Sequence, residues 1–328
     1  MLLIENLHVS IAGHTVAEVE KLELANGQRI GFVGESGSGK SMIVMSILGL
    51  QPKSAKVTGS IKFNGVELIG IPAKKLADIR GRLIGLVPQD PTKSLNPTMR
   101  IGKQIAEAIS LHSNAGKKAI LRRVRELIDN VRLPDPDRII KSYPHQLSGG
   151  QQQRVLIAIA IACEPKLLIA DEPTTALDVT VQGEILNLLL TLSKELDMGL
   201  LFVSHELGVV RFVCQKVAVI YGGQVAEFGN ADSIIKQPAH RYTDALIAAN
   251  ISLPRNEIEV AGNTNQLHSV RGSVPSIGEF PDGCRFRNRC DFAIDSCRSF
   301  VPMRQKDKDH YHRCCNPISS AEKPNVTH

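Results

Sequence analysis

Hydrophobic positions along the chain change their period more than once, and each change marks a different kind of element. Through about Val33 apolar residues alternate over short stretches broken by Gly and Asn, and residues 60–68 read as strand, Asn64-Gly65 turn and strand. The opening is therefore β-rich. From Leu76 to about Pro165 the spacing turns helical, with breaks at Pro88, Pro91, Pro97, Pro134, Pro136 and Pro144, which predicts a helical insert with loops. Short continuous apolar runs at 167–170 and 200–203, separated by a helical stretch, have the character of fully buried parallel strands. Residues 217–221 and 224–228, joined by Gly222-Gly223, predict a closing hairpin. After Asn250 the chain becomes polar and irregular and then rich in cysteine, so a boundary is expected near residue 251.

Size and charge narrow the picture. A length of 328 residues accommodates one sizeable domain with an extension, or two small domains. The longest apolar run, 155–163, is about half of the ~20 residues needed to cross a bilayer, so no membrane span is expected. Net charge is +6, without a long basic run, which suits phosphate ligands and anionic headgroups and does not demand nucleic acid. Met1-Leu2-Leu3-Ile4 has no basic n-region or cleavage site around it, so the cytosol is the expected compartment. Of seven cysteines, five (Cys284, Cys290, Cys297, Cys314 and Cys315) crowd the tail, and in a reducing compartment that points to metal or cluster ligation rather than disulfides. Cys163 and Cys214, isolated among apolar residues, are expected in the core.

Two sites carry candidate chemistry. Residues 29–33 read as a buried strand leading into Gly34-Glu35-Ser36-Gly37-Ser38-Gly39-Lys40-Ser41, a full match to G-x-x-x-x-G-K-[ST], with an apolar helix after it. The glycines let backbone amides curl around phosphates, Lys40 supplies positive charge, and Ser41 can ligate Mg²⁺ at a helix N-terminus. Downstream, Asp171-Glu172 ends an apolar strand, where two desolvated carboxylates need a partner. An isolated pair of this kind would simply cap a helix; with a phosphate loop upstream, Asp171 is expected to hold Mg²⁺ and Glu172 to orient and deprotonate an attacking water.

Leu147-Ser148-Gly149-Gly150-Gln151 adds a second helix start able to offer amides and a hydroxyl to an anion. The phosphate loop, this LSGGQ segment, Asp171-Glu172 and the later His205, in that order, resemble ATP-binding-cassette nucleotide-binding domains. The resemblance implies an α/β fold: a P-loop RecA-like core with an antiparallel β subdomain and a helical subdomain, about 90–165, carrying the signature. It also implies head-to-tail pairing, so that Ser148, Gly150 and Gln151 serve the ATP bound on a partner's P-loop. By the same resemblance Gln89 touches Mg²⁺ and water, Ala176-Leu177-Asp178 faces the partner, and His205 contacts the γ-phosphate. Where the family stacks an aromatic on adenine this chain has Val9-Ser10-Ile11-Ala12-Gly13-His14, leaving Ile11 or His14 to pack on the ring.

Finer strings, Pro88-Gln89-Asp90-Pro91, Ser94-Leu95-Asn96-Pro97, Tyr143-Pro144-His145-Gln146 and the run from Asp171 to Thr180, resemble the dipeptide, oligopeptide and nickel importer subfamily over residues 1–250. The tail, 251–328, resembles that subfamily's cysteine-rich extension, in which Cys284, Cys290, Cys297 and Cys314 would hold a [4Fe–4S] cluster, with Cys315 a rival for the fourth place and a structural Zn²⁺ or free thiols the alternatives. What the resemblance implies for function is ATP hydrolysis powering peptide import at the cytoplasmic face of the membrane. The implied partners are a second, paralogous ATPase subunit, two transmembrane permeases and an extracytoplasmic binding protein. Import of a nickel chelate or another small solute is the alternative cargo. A DNA-associated ATPase of the same type would need a long coiled-coil or zinc-bearing insertion between phosphate loop and signature, whereas that interval here has the length of an ordinary helical insert without sustained heptads.

Overall fold

The computed structural model describes residues 1–175, 177–249 and 270–318. The chain forms two compact units. Unit 1 comprises Met1–Glu23, Arg29–Ile69 and the described part of Val203–His328; unit 2 comprises Leu24–Gln28 and Gly70–Phe202.

Unit 1 opens with β1 (Leu2–Ile11), β2 (His14–Leu24), β3 (Arg29–Val33), α1 (Lys40–Leu48), β4 (Ala55–Phe63) and β5 (Val66–Glu67). Along β1 the buried residues are Leu2, Ile4, Leu7 and Val9, so strict alternation slips by one at Asn6. The pairing of β1 with β4 shifts between Glu5 and His8. A bulge of this kind lets both halves of the strand bury the same face. The Asn64-Gly65 turn joins β4 to β5 in antiparallel register, as the sequence pattern predicts.

Unit 2 runs through α2 (Ala73–Ile79), β6 (Ile84–Val87), α3 (Pro91–Ser94), α4 (Ile101–His112), α5 (Lys117–Asn130), α6 (Pro136–Lys141), α7 (Gly149–Ala160), β7 (Leu167–Asp171) and α8 (Val179–Glu195), closing on β8 (Gly199–Ser204). β6 falls inside the stretch predicted to be helical. Four apolar residues do not reveal their period, and β6 is a strand because it pairs in parallel with β7, Ile84 with Leu167 through Val87 with Ala170. Helix contacts in this unit are fastened by long polar side chains: Arg154 donates to Val131 O at 2.8 Å and to Glu184 at 2.7 Å.

The chain then adds α9 (Leu207–Val213), β9 (Lys216–Tyr221), β10 (Gln224–Asn230), α10 (Ala231–Lys236), α11 (Arg241–Ala249), β11 (Arg304–Asp307) and β12 (His310–His312). β9 and β10 form the expected hairpin, and β9 lies parallel to β3. Within unit 1 the strand order is β5-β4-β1-β2-β10-β9-β3. The boundary expected near 251 lies outside the described residues. The cysteine-bearing tail does not stand apart: β12 pairs antiparallel with β10, Glu227 with His312 and Phe228 with Tyr311, and β11 pairs with β12. A fully buried carboxylate anchors this junction. Glu227 accepts from the backbone N–H of Ala239 at 2.8 Å and of His240 at 2.9 Å, and from His310 Nε2 at 2.7 Å. Three donors satisfy a group whose burial would otherwise be costly.

Cys214 is buried as expected, whereas Cys163 is only half-buried, its Sγ 3.7 Å from Ala108 O. Among the described residues no helix is long and apolar enough to cross a membrane.

Candidate functional site

In unit 1 the buried strand β3 delivers the chain into the 34–41 loop. Gly34 has φ 157°, and a β-carbon there would stand 2.2 Å from Ile220 O. Gly39 has φ 98°, and its β-carbon would meet Gly223 Cα at 2.7 Å and Val16 O at 2.9 Å. Glycine is thus required at both positions by close backbone approach and at Gly39 also by its left-handed conformation. The loop is pinned from behind, because Gly223 N–H donates to Ser38 O at 2.6 Å. Gly39 caps α1 without a side chain, so no carboxylate or hydroxyl of its own competes with an anion at that helix start. Lys40, 4% exposed, donates from Nζ to Gly34 O at 2.8 Å and Glu35 O at 2.9 Å. Ser36, Gly37 and Ser41 are at the surface of the loop and Ser38 is buried beneath it. The 34–41 segment is thus a folded loop between β3 and α1.

One residue of that loop has a partner that local sequence does not signal. Glu35 is paired by both carboxylate oxygens with Arg289 of the cysteine-rich tail, 2.7 Å from Nη1 and 2.9 Å from Nη2. Arg289 also donates to the carbonyls of Arg271 at 2.6 Å and Gly272 at 3.0 Å and to Tyr221 Oη at 3.3 Å. Burial opposes the guanidinium charge, but the bonds to Glu35 and Tyr221 outweigh it, and the net displacement of its pKa is upward. The backbone N–H of Glu35 donates to Tyr242 Oη at 2.9 Å, and Tyr221, Tyr242 and Phe286 pack edge-on or tilted around the pair, with Tyr221 and Tyr242 centroids 4.6 Å apart.

His205 follows the last residue of β8 and is exposed. His14 is exposed, and a β-carbon on Gly278 would stand 3.0 Å from its ring, so the tail reaches the turn where Ile11 and His14 lie.

Unit 2 carries the carboxylates. Asp171 is the last residue of β7, and Glu172 turns away from the strand with a left-handed backbone, φ 46°. Gln89, in the loop after β6, donates from Nε2 to Glu172 Oε2 at 3.0 Å, and Thr175 Oγ1 lies 3.1 Å from the same oxygen. Two donors on one oxygen orient the carboxylate, which is what a base aimed at a water requires. Thr175 gives no sequence signal of its own. Asp171, Glu172 and Gln89 supply oxygen atoms, the donor type that Mg²⁺ prefers.

In the signature, Ser148 caps α7: its Oγ accepts from Gln151 N–H at 3.3 Å, and Gln151 Oε1 accepts from Ser148 N–H at 3.2 Å. Ser148 is exposed and Gly150 and Gln151 are half-buried; a β-carbon on Gly150 would press Val181 Cγ1 at 2.6 Å. Asp178 caps α8 by accepting from Val181 N–H at 3.0 Å, beside Val179, which is 84% exposed. Ala176 lies outside the described residues.

In the tail, Cys284, Cys297 and Cys314 are buried and Cys290 and Cys315 half-buried. Cys284 N–H donates to Cys297 O at 2.8 Å. Burial pushes the Cys284 thiol up to about 12, with Cys297, Cys314 and Cys290 pushing the same way, and the Cys314 thiol up to about 11, with Cys290 and Cys297 adding to it. Cys284, Cys290, Cys297 and Cys314 are therefore within electrostatic reach of one another. Cys315 is hydrogen-bonded to Ser296 O at 3.4 Å, and burial raises its thiol too. Among the described residues no three His, Cys, Asp or Glu side chains converge as the ligands of one metal ion do.

With this geometry in view, the likenesses to known proteins are specific. Residues 18–175 match the family model described as ABC transporter, and residues 226–297 match the one described as oligopeptide/dipeptide transporter, C-terminal region. The chain is 40% identical to the oligopeptide transport ATP-binding protein OppD of Escherichia coli (strain K12), covering 90% of this chain and 86% of that protein. It is 42% identical to the dipeptide transport ATP-binding protein DppD of Haemophilus influenzae, covering 92% and 90%. Among solved structures, the dimeric ATP-binding cassette MJ0796, in a post-hydrolysis state bound to ADP and Pi, superposes with a TM-score of 0.63 at 27% identity, covering 70% of this chain and 99% of that one. The fold is thus that of the cassette ATPases. The chain belongs to the ATP-binding-cassette transporter ATPases, in the branch of the oligopeptide and dipeptide transport ATP-binding proteins. It is an ATP-hydrolysing enzyme.

Proposed function

We propose that this chain powers the import of peptides across the cytoplasmic membrane by hydrolysing ATP as one subunit of a multi-subunit transporter. The observation that carries the chemistry is the Glu172 carboxylate, presented at the end of β7 and held by Gln89 and Thr175. Glu172 takes the proton of a water as its oxygen attacks the γ-phosphorus, the bond to the β-γ bridging oxygen breaks, and ADP and phosphate result. Gly34, Ser36, Gly37, Ser38, Gly39 and Lys40 bind the phosphates, and His205 contacts the γ-phosphate. Mg²⁺, when bound, offsets phosphate charge; Ser41, Gln89 and Asp171 are the residues that would hold it.

Ser148, Gly150 and Gln151 serve the ATP of a second ATPase subunit, a reading supported by the exposure of Ser148. The other partners are two permeases and an extracytoplasmic binding protein, with this chain peripheral on the cytoplasmic face. We read residues 1–250 as the nucleotide-binding domain, with its helical subdomain at about 90–165, and 251–328 as the extension. Cys284, Cys290, Cys297 and Cys314 would hold a [4Fe–4S] cluster, which would tie four segments of the extension together. The burial of Cys284, Cys297 and Cys314, with Cys290 half-buried, supports that reading.

The deciding experiment is ATP-dependent uptake by the complete transporter, reconstituted with its binding protein, against di- and oligopeptides and nickel chelates. Peptide uptake abolished by Glu172→Gln is the expected result. Uptake confined to a metal chelate would replace the cargo, and export would reverse the direction.

A further inference from the structure

Glu35 presents a difficulty that the phosphate loop must resolve. It stands between Gly34 and Ser36, inside a loop whose task is to surround an anion, and an ionised carboxylate there has the wrong sign. Unopposed, it would repel a triphosphate across the few ångströms of the loop, where water screens poorly. The structure places Arg289 on both oxygens of this carboxylate, in the paired-fork geometry that fixes direction as well as charge. Arg289 is itself held in place: its side chain is 6% exposed and donates to the carbonyls of Arg271 and Gly272, so the protein's own backbone fixes the fork. The backbone of Glu35 is fixed separately by Tyr242 Oη, which leaves the direction of the carboxylate to Arg289. Arg289 also stands immediately before Cys290, so the fold of the cysteine-rich tail delivers it.

We propose that Arg289 is a positioning residue for nucleotide binding, turning the Glu35 carboxylate away from the phosphates and cancelling its charge, so that this subunit's affinity for ATP depends on its C-terminal extension. The inference rests on the reading of residues 34–41 as the nucleotide loop. A purely structural role, the pair serving only to fasten the tail to unit 1, makes a different prediction, because fastening needs the attraction whereas nucleotide binding needs only that the negative charge be absent.

The test measures ATP binding to the full-length chain by displacement of a fluorescent ATP analogue, with KM and kcat for hydrolysis measured in the assembled transporter. Arg289→Ala should weaken binding and raise KM roughly tenfold while kcat at saturating ATP changes little, the pattern of lost uniform binding. Adding Glu35→Gln to Arg289→Ala should restore affinity, since the repelling charge is then gone. Arg289→Lys, which keeps the charge and loses the fork, should fall between the parent and Arg289→Ala. Parental affinity in Arg289→Ala, or a loss that Glu35→Gln does not restore, overturns the proposal. If Arg289→Ala does not fold, the double variant Arg289→Gln/Glu35→Gln replaces it. That pair should bind ATP as the parent does, and a tenfold loss there overturns the proposal equally. Lys40→Ala, measured alongside, separates the two readings: undiminished ATP binding in that variant would sink the nucleotide-loop assignment itself.

Discussion

Gln89 and Glu172, far apart in sequence, meet at 3.0 Å, Nε2 of the amide donating to Oε2 of the carboxylate. The contact joins the loop after β6 to the end of β7, so any movement of that loop is felt directly by the proposed base. Gln89→Ala leaves Glu172 with Thr175 on the same oxygen and loosens its direction. The expected outcome is a fall in kcat of about tenfold with a smaller change in KM, read from steady-state hydrolysis by the assembled transporter. Glu172→Gln should go further, still binding ATP but lowering turnover at this subunit's own loop by roughly a hundredfold or more. Retained single-site hydrolysis in that variant would remove Glu172 from its assigned role.

The signature makes a prediction about the other subunit. Ser148 is exposed at the start of α7 and accepts from Gln151 N–H, so its replacement costs about 1 kcal/mol of helix capping and otherwise changes only what the surface offers. Ser148→Arg should leave ATP binding to the 34–41 loop of the same chain intact and suppress hydrolysis at the partner's loop. Single-turnover hydrolysis in complexes that carry Lys40→Ala, so that this chain's own loop is silent, reads the partner's site alone. Normal turnover there with Ser148→Arg would show that the signature does not act across the pair.

How much of this could be read from the residues depends on how local the physics is. The phosphate loop is legible because its chemistry lies in eight consecutive residues between a buried strand and an apolar helix. Asp171-Glu172 is legible because carboxylates at the end of an apolar strand demand a reason. β6 is not, because four apolar residues carry no period and only pairing with β7 makes them a strand. Arg289 is not, because its partner Glu35 is 254 residues away and arginine among cysteines has no pattern of its own. The hairpin β11–β12 is hidden for a third reason: its residues are polar, and what makes them strands is the edge offered by β10.

Acid should act on unit 1 through His240. This ring is 3% exposed, and Tyr242 N–H donates to its Nδ1 at 3.0 Å, a bond that requires that nitrogen to be unprotonated. Burial lowers its pKa from 6.5 to about 4, against the pull of Glu227 and with His312 pushing further down. The folded state therefore binds a proton less readily than the unfolded chain does. The stabilisation is complete above the unfolded value near 6.5 and is lost as pH falls toward about 4, with about 3 kcal/mol at stake over the whole interval. Melting temperature should hold steady from pH 8 to about 6.5 and decline below that, with His240→Gln showing a shallower decline than the parent. Equal slopes in the two proteins would mean that other groups carry the acid sensitivity.

The thiol quartet predicts which cysteines matter and in what way. Buried thiols raised to about 12 and about 11 resist ionisation, so an unmetallated site stays protonated at neutral pH, while a cluster holds its ligands as thiolates. The full-length chain isolated without oxygen should carry about four iron atoms and the broad visible absorption of an iron–sulfur cluster. Cys284→Ser and Cys314→Ser should each lose most of that iron, whereas Cys315→Ser, whose parent thiol is half-buried and bonded to Ser296 O, should keep it. The reverse result for the last two would move the fourth ligand to Cys315. Stoichiometric zinc in place of iron would replace the cluster by a single ion.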